Sequence, residues 1–322
     1  MKHRLLNHPV VLVGLLLLAV AAAAGLLFLF SQGVGPGTNR AVDRLIPDIK
    51  PSPSPTNQVA VFAPLRGKVL TQQQAEPFVT GVREPHGLGI ADGELFVSSW
   101  EDQAIYRVNL QTGERTLVTD GVDGAHDMVI GPDGKLVVPL FKDGRVVKID
   151  RKDGRVETLT DALSGPNGIT RARSGGYYVT DAKDGRLVKV EENGDVRQIA
   201  DGLREPAGVV VDNDNIIRLA QYADPINSVI QIQDNGNKTT LVKGLQQAES
   251  LAVDYGKNLI IGHTDGGRVA FDIFFTRAEA PQRFLTTTLP GPAVGPVTDG
   301  TYLYFESAAP GQDTVYRIPL PK

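Results

Sequence analysis

Beyond residue 60 the apolar and polar positions fall into short runs that recur on a nearly fixed beat. With the residue before His86 as phase mark, repeats begin at Pro85, Ala125, Pro166, Pro206, Ala248 and Pro292, in steps of 40, 41, 40, 42 and 44 residues. Their opening words are PHGLGI, AHDMVI, PNGITR, PAGVVV, AESLAV and PAVGPV. Each is followed by a turn, an apolar run, a second turn and another strand-like run. In the second repeat these are GPDG, KLVVPLF, KDG and RVVKID, then RKDG and RVETLT. Asp-Gly and Asn-Gly pairs between such runs suit two-residue hairpins, because their backbones accept a positive φ. Four short strands every ~40 residues is the spacing of a propeller blade. No helical periodicity competes with it.

The count of blades follows from the two ends of the pattern. The sixth repeat closes on TVYRIPLPK, residues 314–322, without an outer fourth strand. A strand-like AEPFVTGVRE, residues 75–84, arrives before any first strand and resembles VETLTDALSG at 156–165 and VRQIADGLRE at 196–205. The N-terminal strand is therefore expected to complete the last blade, which spares an open sheet its exposed edge. The expectation is an all-β, six-bladed propeller over residues 59–322.

Residues 10–30, VVLVGLLLLAVAAAAGLLFLF, break the beat with 21 uncharged positions after Lys2 and Arg4. That length matches the ~20 residues a helix needs to cross a bilayer core. It exceeds the ~7–15-residue apolar region of a cleaved signal, although AVAAAA offers small residues at a cleavage site. The basic residues precede the run, so the body of the chain is expected on the extracytoplasmic side. The reading is a single-pass cell-membrane protein with an anchor over 1–30, secreted if the segment is cleaved. Residues 31–58, with PSPSP near their end, read as a Pro/Gly-rich tether.

Composition narrows the chemistry. The net charge is −4 and aromatics are few, against a nucleic-acid binder. There are no cysteines, which removes disulfides, thiolate metal sites and a cysteine nucleophile. Of five histidines, His3 and His8 precede the apolar run, leaving His86, His126 and His263 for the propeller.

Those three fall at matched places in the repeat. In an up-and-down blade the innermost strand begins, and the second strand ends, on one face of the ring. Inner-strand starts carry His86, His126, Asn167, Ala207, Glu249 and Ala293; second-strand ends carry Ser99, Leu140, Asp181, Ala220 or Gln221, His263 and Glu306. Pro at the phase mark fixes φ, and Gly two residues on permits close approach near the axis. The polar residue between them points toward a wet channel, where it is either solvated lining or part of a site. His86, His126 and Asn167 are candidate metal ligands and Glu249 a candidate general base, while Asp181, at the end of YYVTD, either serves as a base or caps the loop. Asp127 either orients His126 or bonds a backbone amide. Trp100 and Phe141 either form an apolar wall for a ligand or pack as ordinary loop residues, and His263 and Glu306 are further binding groups. DNDN at 212–215 lacks the Gly and Glu of a calcium loop and reads as a hairpin turn.

GPNGIT, GGYYVTD and the Pro-x-Gly marks resemble the propellers of the senescence marker protein/gluconolactonase/luciferin-regenerating group, and their NHL-type and strictosidine-synthase-like neighbours. The resemblance covers most of residues 75–322. It implies a divalent metal, often calcium, held at the channel mouth by a Glu, an Asn and an Asp from blades one, three and four, with a second-blade Asn contributing. Asn167 matches the Asn, and His126–Asp127 stands where the family has Asn-Asp. His86 replaces the Glu and Ala207 the Asp, so both carboxylates are lost. That disfavours calcium and suits zinc or another transition ion. A second resemblance is to streptogramin-lyase propellers, which use a P-H-x-I histidine, a Glu near a second-strand end, and magnesium. His86 matches the histidine, while Ser99 stands at the Glu position with Glu101 close by.

Two functional expectations follow. The first is a membrane-tethered extracytoplasmic propeller that binds a small molecule or protein on its rim. The alternative is a metal-dependent lactonase- or esterase-like hydrolase, or a lyase, with its site at the channel mouth.

Overall fold

The computed structural model of the protein describes residues 58–59, 68–212, 214–223, 228–233, 235–254, 258–275 and 278–320. The chain divides into units Met1–Ser52 and Pro53–Lys322, and all described residues belong to the second. The predicted anchor at 10–30 lies outside them. Among the described residues no helix is long and apolar enough to cross a membrane.

Six antiparallel sheets form the ring, each of four strands in sequence order apart from two additions. Blade one runs Pro85–Ala91, Glu94–Ser99, Ala104–Asn109 and Arg115–Thr119. Blade six supplies Ala293–Thr298, Tyr302–Ser307 and Thr314–Pro319, and its fourth strand is Glu76–Thr80 from the start of the domain. Val79 pairs with Val315 and Pro77 with Tyr316, so the ring closes as the repeat pattern predicts. Blade five carries the additions, two short parallel pairings by Gln58–Val59 on its inner strand and Leu70–Thr71 on its outer strand.

The second strands explain why the sequence reads as continuous apolar runs rather than alternation. Leu136–Leu140 and Tyr177–Asp181 are buried at every position, because each blade is covered by a neighbour on both faces. Outer strands such as Val156–Thr160 are largely exposed. The core therefore sits between blades, as in the cluster joining Leu88, Leu95 and Val97 of blade one to Val297 and Tyr304 of blade six.

The Pro-x-Gly word has a definite packing cause. A Cβ on Gly87 would collide with the backbone carbonyl of His126, one on Gly168 with that of Ala207, and one on Gly208 with that of Glu249. Each glycine thus lies against the inner-strand start of the next blade. Hydroxyls tie the same seams: Ser98 donates to the His126 carbonyl (2.8 Å) and Thr180 to that of Ala207 (2.7 Å). In blade five the second-strand place is Gly262, and Ser250 from the neighbouring strand donates to the Ala293 carbonyl (2.9 Å) instead.

Candidate functional site at the channel mouth

The residue after the phase mark turns into the mouth in four of six blades, between Pro and Gly at His86 and Asn167 and after Ala at His126 and Glu249. His86, His126, Asn167 and Glu249 line both the narrow central channel, about 90 Å³, and the wider cavity above it, about 590 Å³. The neighbour in blade four, Ala207, and that in blade six, Ala293, add no functional group.

Backbone geometry sets the first histidine. Glu84 holds φ at 47°, and its carbonyl accepts from the Trp100 amide (2.9 Å) and from His86 Nδ1 (3.1 Å). A carbonyl only accepts, so Nδ1 carries the proton and Nε2 keeps its lone pair. The His86 ring stacks on Trp100 at 5.0 Å and 24°, and meets His126 edge-on at 4.9 Å. Phe141 completes the cluster, 6.0 Å from Trp100 and 6.3 Å from His126.

Across from this cluster His126 Nε2 stands 3.9 Å from Glu249 Oε1, and both side chains are buried. Burial pushes the Glu249 carboxyl up to about 8, against the pull of an Asn167 hydrogen bond and with the help of Asp127 and Glu205. Burial, with His86 beside it, holds His126 well below the usual imidazole range. The same desolvation, helped by Lys142, brings His86 down to about 4 despite its carbonyl partner. Near neutral pH the pair is therefore an undissociated carboxylic acid facing a neutral imidazole.

Asp127 takes the backbone role of its two alternatives. Its oxygens accept from Met128 N (2.8 Å) and Ile169 N (3.2 Å), which binds blade two to blade three below His126. Burial raises it to about 6.

The second-strand ends face away from the mouth, and Asp181 takes the capping role of its two alternatives. Asp181 pairs opposite Pro166, the place Ser99 holds opposite Pro85, and this place faces the turn entering the blade rather than the mouth. Asp181 is buried, accepts from Ser164 N and Gly165 N, and is bonded by Arg186, so its carboxylate is committed to that turn. A base role for it at the mouth has no geometric support. His263 occupies the equivalent place in blade five, 3.2 Å from Asp272 and lining neither cavity. Glu306 lies one residue earlier, in the place of Ser98 and Thr180. It is fully buried, no group among the described residues bonds its oxygens, and burial with Asp127 raises it well above the carboxylate range. Glu101 pairs with Arg83 outside the cavity. Asp212 of DNDN accepts from Asp214 N and Ile216 N and pairs with Arg218, the bonding of a turn.

In five of the six blades the residue just past the second strand faces the mouth: Trp100, Phe141, Ala182, Tyr222 and Ala308 line it. Tyr222, Lys183, Glu205 and Gln247 were not singled out from sequence. The signal for Tyr222 is that spacing and for Lys183 one residue further; for Glu205 and Gln247 it is their place just before the phase mark.

The donor set does not fit calcium. Of the carboxyls lining the mouth, Glu249 faces an imidazole, and the two positions where the resemblance places carboxylate ligands carry His86 and Ala207. Among the described residues no three His, Asp or Glu side chains converge as metal ligands.

The chain defines a class: a six-bladed propeller with a polar, aromatic-walled mouth on its channel axis. No family model and no curated protein sequence matches it. Solved structures match in fold. A gluconolactonase from Xanthomonas campestris aligns at 15% identity over 77% of this chain and 89% of its own, with a TM-score of 0.64. Virginiamycin B lyase from Staphylococcus aureus aligns at 15% over 77% and 99%, with a TM-score of 0.58. Regucalcin from Agrobacterium tumefaciens, a calcium-binding protein, aligns at 13% over 79% and 96%, with a TM-score of 0.60. The chain resembles these propellers at low identity, a likeness of fold.

Proposed function

We propose that this protein is a hydrolase of cyclic or linear carboxylic esters, working at the channel mouth with His126 as base and Glu249 as acid. The observation that carries the reading is the buried His126–Glu249 pair, 3.9 Å apart on the floor of an open cavity. A water between them attacks the ester carbonyl as its proton passes to His126. Glu249 then protonates the departing alkoxide, and the proton on His126 returns to Glu249, so the enzyme ends as it began. Asn167 holds the Glu249 carboxyl through its amide. Similarity in fold to a gluconolactonase and to a lyase supports small-molecule chemistry at this place. The apolar run at 10–30 behind basic residues supports display of the propeller outside the cytoplasmic membrane.

The test uses the full chain in detergent against lactones and simple esters. Glu249→Gln and His126→Asn are each expected to lower kcat/KM by about a hundredfold or more. Hydrolysis that survives both substitutions, or no hydrolysis of any ester, removes the reading and leaves a propeller that binds without turnover.

A further inference from the structure

The proposed hydrolase reading leaves open which esters the mouth accepts, and its walls narrow the choice. Resting on that reading, we infer that the substrate carries a flat aromatic ring, fused to or leaving from its ester, and that this ring lies along the wall formed by Trp100 and Phe141.

The wall is built rather than incidental. Trp100 and Phe141 stand 6.0 Å apart at 49°, and His86 stacks on Trp100. The Lys142 ammonium sits 4.5 Å from the centre of the Trp100 ring and Lys183 4.7 Å from that of Phe141. Both cations are held by the protein itself, Lys142 by Asp123 (2.8 Å) and Lys183 by the Phe141 carbonyl (3.3 Å). They hold the two rings in place at the wall of the cavity, which both rings line.

The opposite wall is polar. Gln247 donates to the Tyr222 hydroxyl (2.8 Å), and Glu205 and Gln247 are set by left-handed backbones at φ 43° and 44°. The cavity is thus divided, aromatic on the blade one and two side and hydrogen-bonding on the blade four and five side. His126 and Glu249 lie at the foot of the division. A small aliphatic lactone would reach the acid–base pair and leave the rings uncovered. At about 590 Å³ the cavity has room for a fused or pendant arene as well.

Trp100 is the chain's single tryptophan, so its fluorescence reports on this wall alone. The full-length protein would be titrated with dihydroquinolinone, a lactam of the right shape that resists hydrolysis. Dihydrocoumarin and valerolactone, with and without the fused ring, would then be compared as substrates, each rate divided by its uncatalysed rate. The expected result is saturable quenching of Trp100, about fivefold weaker binding in Phe141→Leu, and a clear preference for dihydrocoumarin that shrinks in that variant. Valerolactone used as well as dihydrocoumarin, with Trp100 unmoved by the lactam, overturns the aromatic subsite while the hydrolase reading stands. Quenching by the lactam that Phe141→Leu weakens, without hydrolysis of either lactone, overturns the hydrolase reading and keeps the aromatic ligand.

Discussion

Glu249 is buried where a charge is costly, and the imidazole it faces is too weak a base to take its proton. Raised to about 8, it holds that proton at neutrality, while His126 stays neutral to well below pH 6.5. The proposed reaction needs both forms at once. Activity is therefore expected to be level from about pH 6.5 upward and to fall as Glu249 ionises near pH 8. A rate profile on one lactone checks this, and an alkaline limb absent from the wild type would deny Glu249 the acid role. His86 and Asn167 are legible because Pro-x-Gly fixes both the start of the inner strand and the direction of the residue between. His126 and Glu249 are legible because the repeat spacing carries that place to blades without the word. Asp181 stands at the end of its strand, as its apolar run implies, but the residue one step further faces the mouth. His263 lies two residues short of its strand's end. Along a strand one residue changes the face, and the exact end of the second strand in blade five is not written in its apolar run. Glu306 was placed at such an end, but its register with Val294 sets it in the inter-blade seam.

At the scale of the strand, the seams between blades rest on contacts the repeat pattern encodes only in part. The glycine of Pro-x-Gly announces close approach, but not that the approaching group is the next blade's carbonyl. Thr180 shows what such a seam contains, accepting from Gly168 N (2.8 Å) while donating to the Ala207 carbonyl. Thr180→Val keeps the shape and removes both bonds, and is expected to cost about 1–3 kcal/mol in chemical denaturation. Gly168→Ala forces a methyl onto that same carbonyl and is expected to cost a similar ~1–3 kcal/mol. A neutral result for either would mean the seam rearranges freely. The strands themselves were readable from their turns. The pairings at Gln58–Val59 and Leu70–Thr71 were not, because two residues carry no periodicity.

Across the whole ring, burial gathers carboxyl groups that resist ionising. Burial raises Asp127 to about 6, Glu249 to about 8, and Glu306 well above its ordinary value. A carboxyl raised on folding is protonated in the fold when the unfolded chain has already released the proton. Its share of stability is therefore lost as pH climbs from the unfolded value through the folded one. The histidines act oppositely, but only below their unfolded value near 6.5. Between pH 6.5 and 8 the carboxyls act alone among these groups, and stability is expected to decline by on the order of 1 kcal/mol per pH unit. Melting temperatures across that range check it, and Glu249→Gln should flatten the slope. A melting temperature that rises through this window would show that the carboxyls are ionised in the fold.

The closure of blade six also fixes when this molecule can exist. Glu76–Thr80 is among the first segments of the domain to leave the ribosome, and its partner Thr314–Pro319 is nearly the last. Through almost the whole of synthesis the first strand waits with an open hydrogen-bonding edge. If the chain is threaded across a membrane as it is made, that wait ends on the far side, and the ring is completed there or not at all.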